Sequence, residues 1–526
     1  MLKQFIQKRV EKDKEYINKS PKFVFNGMRK DDSPIKIGDD VLYNSVNSFK
    51  KNGKWKKRPG LELFGSGLPF NDPVVQIEQF FKYDGTEYLV AFTTRNAYLY
   101  SSAIDTWVKM NVSDCFTASY NDRFSCETMY DNDTGEVKFI VTNGVDNIKY
   151  WNGSGEWQDL PGTPSKCKLL KVFYVWLLLL NCTVSGNEIP QRIDWCVPGN
   201  PKDWSGPGSG TNTLAASTGP IVGCEIIRGQ VAILLERSIT MMYATGTTPP
   251  FVFDETKILD VGCMSGGSIQ SLGETLLFLG WDDFYTFDGF ATTSIGNDII
   301  LFFFDDVNSE YVDSMFSHML EQFGLYLLFY TSASSSSPDK ILVYDYINSK
   351  FVSIWNFDGK NITGDGYYHA KSGLTIGELT MTIGQMNWRI GTSYFTSVAP
   401  FDLFGDSSGN IYNVLESCLN DDGVAIDSYF DTKSFISKIG KYSRYVRQQL
   451  YAIGTKIESL ISIDNGVNFS SLLTTDLNTN ENKPTLTDPF DVTNEKAMFR
   501  FRNNELNGWF EFDGFQYYYI DKEDII

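Results

Sequence analysis

Histidine is nearly missing from this chain: its 526 residues hold two, His318 and His369. Zinc sites built on histidine pairs and a Ser-His-Asp triad lose their central component. No G-x-S-x-G, H-E-x-x-H, P-loop or G-x-G-x-x-G occurs in the context it needs. The eight cysteines (115, 126, 167, 182, 196, 224, 263 and 418) form no C-x-x-C pair. Most lie in apolar or strand-like runs, so buried free thiols are expected, as in a protein assembled in a reducing cytoplasm. Long apolar runs are lacking too. The most apolar one, 172–180, is far too short to cross a membrane and is expected to be one buried strand. The Lys-rich N-terminus has no apolar core of a signal peptide, so none is expected, and sequons such as Asn111-Val112-Ser113 carry no weight.

Positive charge is scarce and unevenly placed. The formal net charge is −19. Residues 1–58 nevertheless hold 16 Lys/Arg against 7 Asp/Glu, +9, which leaves −28 for the rest. A basic arm on an acidic body fits docking of the arm to something acidic, a second copy of the body included. The acidic body argues against gripping nucleic acid, because phosphates need Lys and Arg. It is compatible with DNA passing through a hole. A plainly solvated acidic surface is the bland alternative.

What the chain does have is aromatic residues (15%) and a globular proportion of apolar (42%) and charged (21%) residues. The aromatics favour β-structure. Residues 1–18 form the one convincing helix, with Leu2, Ile6, Val10 and Ile17 near one face and Ser20-Pro21 as the stop. From about 73 to 416, short apolar strands alternate with tight turns. Asp-Gly or Asn-Gly steps open at Asp84, Asn143, Asn152, Asp288 and Asp358, and each supplies the positive φ that a short hairpin needs. Aromatic strand, polar turn and a strand opening on an aromatic recur at Tyr98-Leu99-Tyr100 to Trp107, at Tyr150-Trp151 to Trp157, and at Tyr344 to Phe351. Units are expected near 74–112, 124–160, 168–204, 221–258, 270–305, 323–357 and 375–415. This punctuation fits radial β repeats, a propeller of about six to eight blades; a stacked sandwich array is the alternative.

After Ser417 the texture changes again. Asp422-Gly423 and Asn465-Gly466 are turn signals, and strands are expected at 442–451, 458–463, 497–502 and 509–519. The fold class is therefore all-β. An N-terminal basic arm and entry strand (1–72) precedes a β-propeller-like domain (73–416) and a C-terminal β-sandwich-like domain (417–526). The last strand, long and aromatic, is expected to be an edge that invites another chain.

Two local motifs are suggestive of chemistry. Asp131-Asn132-Asp133-Thr134-Gly135 resembles a calcium loop, but its glycine falls one position early and no Glu stands at the bidentate position, so a hairpin tip is the better reading. Ser462-Ile463-Asp464-Asn465-Gly466-Val467-Asn468-Phe469 resembles the Asp-box of sialidase-like propellers, which is a structural turn in that family. No catalytic, cofactor-binding or metal-binding residue is assigned, no cofactor is expected, and the chain is read as non-enzymatic.

Three further stretches carry a resemblance. Residues 192–204, R-I-D-W-C-V-P-G-N-P-K-D-W, are a strand followed by a Pro-Gly corner and a tryptophan anchor. Lys57-Arg58-Pro59-Gly60 precedes the first repeat. Glu236-Arg237-Ser238-Ile239 is followed by a small-residue corner (262–271) and by F-L-G-W-D-D-F-Y-T-F-D-G (278–289). In this order they resemble motifs of the β-propeller tail hub or nozzle proteins of tailed bacteriophages. Asp283 stands where that family usually has glycine, so a wider turn is expected there. The resemblance covers most of 25–420. It implies a homo-oligomeric ring, commonly a hexamer, below the portal and adaptor proteins. Such a ring surrounds the channel for genomic double-stranded DNA, carries tail fibres, and is assembled in the host cytoplasm into the virion. A glycan-binding or glycan-cleaving propeller is the alternative, with Trp107, Trp157 and Trp204 as candidate sugar-stacking residues.

Overall fold

The computed structural model describes residues 17–217, 219–369, 400–437, 441–480 and 483–522. Seven four-stranded antiparallel units follow one another at 74–109, 125–159, 166–213, 221–258, 270–294, 316–355 and 362–415. They are called blades 1 to 7 here. The outermost strand of blade 7 comes from the other end of the chain: Gly60–Leu63 pairs antiparallel with Ile411–Leu415. The innermost strand of blade 7, Ile362–Tyr368, packs on that of blade 1, Val74–Phe81, and closes the ring. The fold is a β-propeller, as the repeats imply.

The turn chemistry accounts for hairpin turns within blades 1, 2 and 5 and for the connection from blade 6 to blade 7. Gly85, Gly144, Gly153, Gly289 and Gly359 all have positive φ. Alternating residues then bury cores between blades. One such core joins Phe80, Val90 and Phe92 of blade 1 to Phe139, Val141 and Trp151 of blade 2. The small-residue corner has a physical reason: a Cβ on Gly266 would meet the Val222 carbonyl oxygen at 2.2 Å, and one on Gly267 the Met315 oxygen at 2.0 Å. Backbone lies against backbone where blades 4, 5 and 6 meet.

Two local expectations are corrected. The apolar run 172–180 is two strands, Lys166–Phe173 and Trp176–Val184, turning at Tyr174 with φ 54°. Asp283 does not widen its turn. Its carbonyl accepts the Gly280 N–H at 2.8 Å, and its carboxylate accepts the Gly296 N–H at 2.8 Å and the Ser294 hydroxyl.

The boundaries at 72/73 and 416/417 do not separate sheets. Asn44–Val46 runs parallel to the last strand of blade 6, through Val46 and Ile354, and antiparallel to Ser428–Ile436. Blade 6 thereby continues into one nine-stranded sheet that ends at Ser470–Asp476. A second sheet carries Ser48–Lys51, Lys54–Lys57, Phe510–Lys522 and Tyr442–Gly454. The two sheets sandwich a core that includes Phe430, Phe499 and Phe501 from one and Leu450, Phe512 and Phe515 from the other. The sandwich thus needs both ends of the chain.

The N-terminal segment is not a free arm over its described length. The expected helix lies outside the described residues up to 16, and its last residue, Asn18, sits in a strand: Asn18 and Lys19 pair with Tyr519 and Tyr518. Together with Phe23 opposite Phe515 and Trp55 opposite Phe512, they cover the edge of the last strand. That strand is therefore not open to another chain along these positions. The basic residues dock on this same body: Lys22 on Asp513, Lys51 on Glu416, and Lys54 and Lys56 on Glu511.

Arg58 fixes the junction. It is 1% exposed and forms a two-pronged pair with the equally buried Asp421, at 2.8 and 2.5 Å. Its other N–H groups reach the Asn47 side chain (3.0 Å), the Pro59 carbonyl (3.0 Å) and the Asn356 carbonyl (2.7 Å), and its plane lies 4.2 Å over Phe357. All five donors of the guanidinium are used. A Cβ on Gly60 would meet the Asn420 oxygen at 2.2 Å, so the R-P-G run is the hinge pin between sandwich and propeller. Removing one partner of such a pair leaves a buried charge uncompensated, which costs about 3–5 kcal/mol. Arg58→Met is expected to lower unfolding free energy by that amount in a denaturant titration. Asp421→Asn is expected to do the same, and a double variant of the two to cost less than the sum.

Candidate functional site: the axial cavity

A cavity of about 920 Å³ lies on the propeller axis. All seven blades or the connections between them contribute to its wall. Its one mouth is formed by turns between second and third strands and by blade-to-blade connections, through Asp122, Asn143, Glu236, Trp281, Glu310 and Asp313. At the other end stand Phe81, next to the turn between the first and second strands of blade 1, and His369, just after the first strand of blade 7.

Charged side chains tie the innermost strands together around this axis. Arg123 enters from the connection between blades 1 and 2. It donates to Asp365 (3.3 Å), Gln76 (3.2 Å) and the Thr363 carbonyl (3.1 Å), with its plane 4.3 Å over Phe316. Burial lowers its pKa to about 10, against the pull of Asp365. Lys171 of blade 3 bridges Glu127 of blade 2 (3.4 Å) and Glu225 of blade 4 (3.0 Å). Burial works against its charge, but the two carboxylates outweigh it and raise the pKa.

Glu78 of blade 1 is the exception. Its carboxylate accepts from the Gln76 amide at 3.0 Å, and no Lys or Arg among the described residues pairs with it. Burial first, and then Asp365 and Glu127, push it up to about 7, against the Gln76 hydrogen bond and the more distant charge of Lys171.

His318, one of the two histidines, is fully buried between blades 6 and 7. Its Nδ1 lies 3.0 Å from Asp365 and its Nε2 3.1 Å from Asp402, and the ring stacks on Tyr367 at 4.4 Å. Gln322 donates to the other oxygen of Asp402. Burial pulls the imidazole pKa down, and the two carboxylates more than offset it, to about 9. Imidazolium between two carboxylates is a clamp, with both ring nitrogens occupied and no hydroxyl or thiol nucleophile bonded to either. Sequence reading gave His318 no role, because its partners are 47 and 84 residues away.

The other motif residues fall into structural places. Asp131 is buried at a hairpin tip, with Lys202 at 3.0 Å and Lys138 at 3.4 Å on its carboxylate. The Asp-box residues close a turn on themselves: Asp464 accepts from the Asn468 backbone (2.9 Å), the Asn468 amide (2.8 Å) and the Ser462 hydroxyl (2.6 Å). Those bonds hold its carboxyl down at about 2. In the 192–204 run, Trp195 is buried against Phe251, and Arg192 pairs with Asp194 at 2.9 Å. Trp107 and Trp157 are core residues, 3% and 5% exposed, which removes two of the three candidate sugar-stacking rings; the Trp204 indole donates to the Pro201 carbonyl. All eight cysteines are free thiols, and no helix among the described residues is long and apolar enough to cross a membrane.

The fold and its axial site define a β-propeller fused to a β-sandwich. No family model and no curated protein matches the chain. Among solved structures it is similar to a chain of the crystal structure of BBS1N in complex with ARL6DN, soaked with mercury. That match has 9% identity and a TM-score of 0.39, and covers 69% of this chain and 99% of that one.

The His318 clamp has a defined pH dependence. The folded-state pKa of about 9 stands above the ordinary 6.5. Its stabilisation is therefore complete below pH ~6.5 and is lost as pH rises through about 9. Thermal melting from pH 6 to 10 is expected to show this alkaline decline in the wild type and not in His318→Gln. At neutral pH that variant is expected to be less stable by ~3 kcal/mol, because two buried carboxylates lose their cation.

Proposed function

We propose that this protein is a structural subunit of a bacteriophage tail, of the hub or nozzle kind. It assembles with further copies, six in the common arrangement, into a ring around the DNA ejection channel and serves as a platform for other tail proteins. It is not an enzyme in this reading. Its partners are itself, the portal and adaptor proteins, tail fibres, and genomic DNA that passes without sequence-specific contact; its place is the virion.

The observation that carries the reading is the junction of propeller and sandwich. One sheet runs through both units, and the buried Arg58–Asp421 pair pins them, giving a stiff wedge of the sort that a ring under load needs. The three motifs that resemble tail proteins lie at structural joints: the closure of blade 7, the corner after the third strand of blade 3, and the contact of blades 4, 5 and 6. The chain's excess of acidic residues suits a channel that releases DNA. The glycan reading is weakened by the burial of Trp107 and Trp157.

Native mass measurement with negative-stain imaging tests this, on the protein alone and with a phage portal–adaptor preparation. A closed ring, alone or on the portal complex, is the expected result; a monomer that ignores the portal would overturn it. Deleting residues 1–16 is expected to weaken ring formation or docking and to leave the melting temperature within a few degrees. The cut falls before the strand pairing at Asn18.

A further inference from the structure

We propose that the axial cavity binds an elongated ligand carrying ammonium groups, with one group held at Glu78 and another at the mouth formed by Glu236, Glu310, Asp313 and Trp281. A linear polyamine and a lysine-bearing peptide segment are the two sources of that chemistry.

The first ground is the space. About 920 Å³ enclosed by seven blades is the size of a small-molecule or short-peptide site. It is also long: Gln76 and Phe81 of one inner strand both line it, a stretch of roughly 17 Å at 3.3 Å per residue. The second ground is a charge deficit that the protein does not fill. Arg123 is committed to Asp365 and Lys171 to Glu127 and Glu225, which leaves Lys168 as the wall's one other cation against Glu78, Asp122, Glu236, Glu310 and Asp313. Among the described residues no ion pair reaches Glu78, Glu236, Glu310 or Asp313, while Lys168 and Arg123 are the wall's two Lys/Arg residues. The third ground is Trp281. It lies at the mouth and is 41% exposed, an unusual state for that ring. An indole face attracts ammonium and guanidinium groups, and the Arg237 guanidinium already lies 5.9 Å from it.

These grounds also select the class. A phosphate-bearing ligand would meet an acidic wall. A compact metal ion finds no converging set of three ligands among the described residues. Acidic groups at two levels of one long cavity match a cation whose charges are spaced along a chain. The low-dielectric surroundings of Glu78 strengthen such a pair relative to one at the surface. The raised pKa of Glu78, about 7, gives the sign of the pH effect: binding strengthens from pH 6 to 8 as its carboxyl ionises.

Isothermal titration calorimetry of the full chain with spermidine, with tri-lysine and with magnesium ion tests the proposal. One-site binding of spermidine or tri-lysine that persists at physiological salt is expected, without a matching magnesium signal. Glu78→Gln is expected to weaken it at least about tenfold and to abolish its rise between pH 6 and 8. Glu274→Gln, which removes an exposed carboxylate outside the cavity, is expected to change nothing. Should Glu78→Gln fail to fold, the pair Glu310→Gln/Asp313→Asn on the exposed rim gives the same reading. Tighter binding of spermidine names a polyamine, and tighter binding of tri-lysine names a peptide segment. The proposal falls if neither probe binds with one-site stoichiometry, or if the cavity variants bind as the wild type does. Ring formation is a separate measurement, so failure here leaves the tail reading standing.

Discussion

Everything in this chain meets at the Arg58–Asp421 pair. The guanidinium touches the N-terminal hairpin through Asn47, blade 6 through Asn356 and Phe357, and the start of the C-terminal region through Asp421. A buried ion pair is weak ground for stability by itself, since desolvation offsets much of the attraction. Its value here is specificity. Five donors with five fixed acceptors accept one arrangement of three segments that lie far apart in the sequence, at Asn47, Asn356 and Asp421. Asn47 adds a second constraint: it is buried in the left-handed region at φ 51°, and its side chain both accepts from Arg58 and donates to Asn356. Asparagine is among the few non-glycine residues that take this backbone shape readily.

That junction explains why the two units share a sheet. A strand contributed by residues 44–46 bridges blade 6 and the sandwich only if the chain then turns sharply to feed Ser48–Lys51 into the opposite sheet. Asn47 makes the turn, and Arg58 holds the return. Propeller closure depends on the same few residues, because Gly60–Leu63 leaves directly from Pro59. Closing a ring with a strand from the far end of the chain removes an exposed edge from blade 7. It also means that a fault at Arg58 would loosen two units at once.

The blades were legible in the sequence because their information is local. Positive-φ dipeptides and period-2 alternation lie within each hairpin, so Asp84-Gly85 or Asp288-Gly289 marks a turn without reference to anything distant. Strand ends at 74, 221, 258 and 270 were readable on that basis. The sandwich was half legible. Its C-terminal strands alternate clearly, with Phe510 and Phe512 inside and Glu511 outside, but their partners at 18–19 and 54–57 are short and rich in Lys, which reads as an arm. What makes them strands is the edge they complete and the acidic side chains they meet, Glu511 and Asp513 among them. The axial network was not legible at all. Arg123, His318, Asp365 and Asp402 sit in unremarkable contexts, and only the ring closure brings them together.

The same closure settles what the charge asymmetry means. The +9 of residues 1–58 looks like a surplus for an external acidic partner. In the fold much of it is spent on this body, on Asp513, Glu416, Glu511 and Asp421. Neutralisation therefore concentrates on the sandwich, and the propeller keeps its acids. Along the axis the deficit is felt at Glu78, where burial and neighbouring carboxylates act in the same direction and Lys171, committed to Glu127 and Glu225, offsets them only in part. A propeller interior could have been made neutral with one more lysine on an inner strand, as Lys171 does for Glu127 and Glu225. Blade 1 has glutamine at 76 and 79 on either side of Glu78 instead, side chains that hydrogen-bond but cannot supply the missing charge.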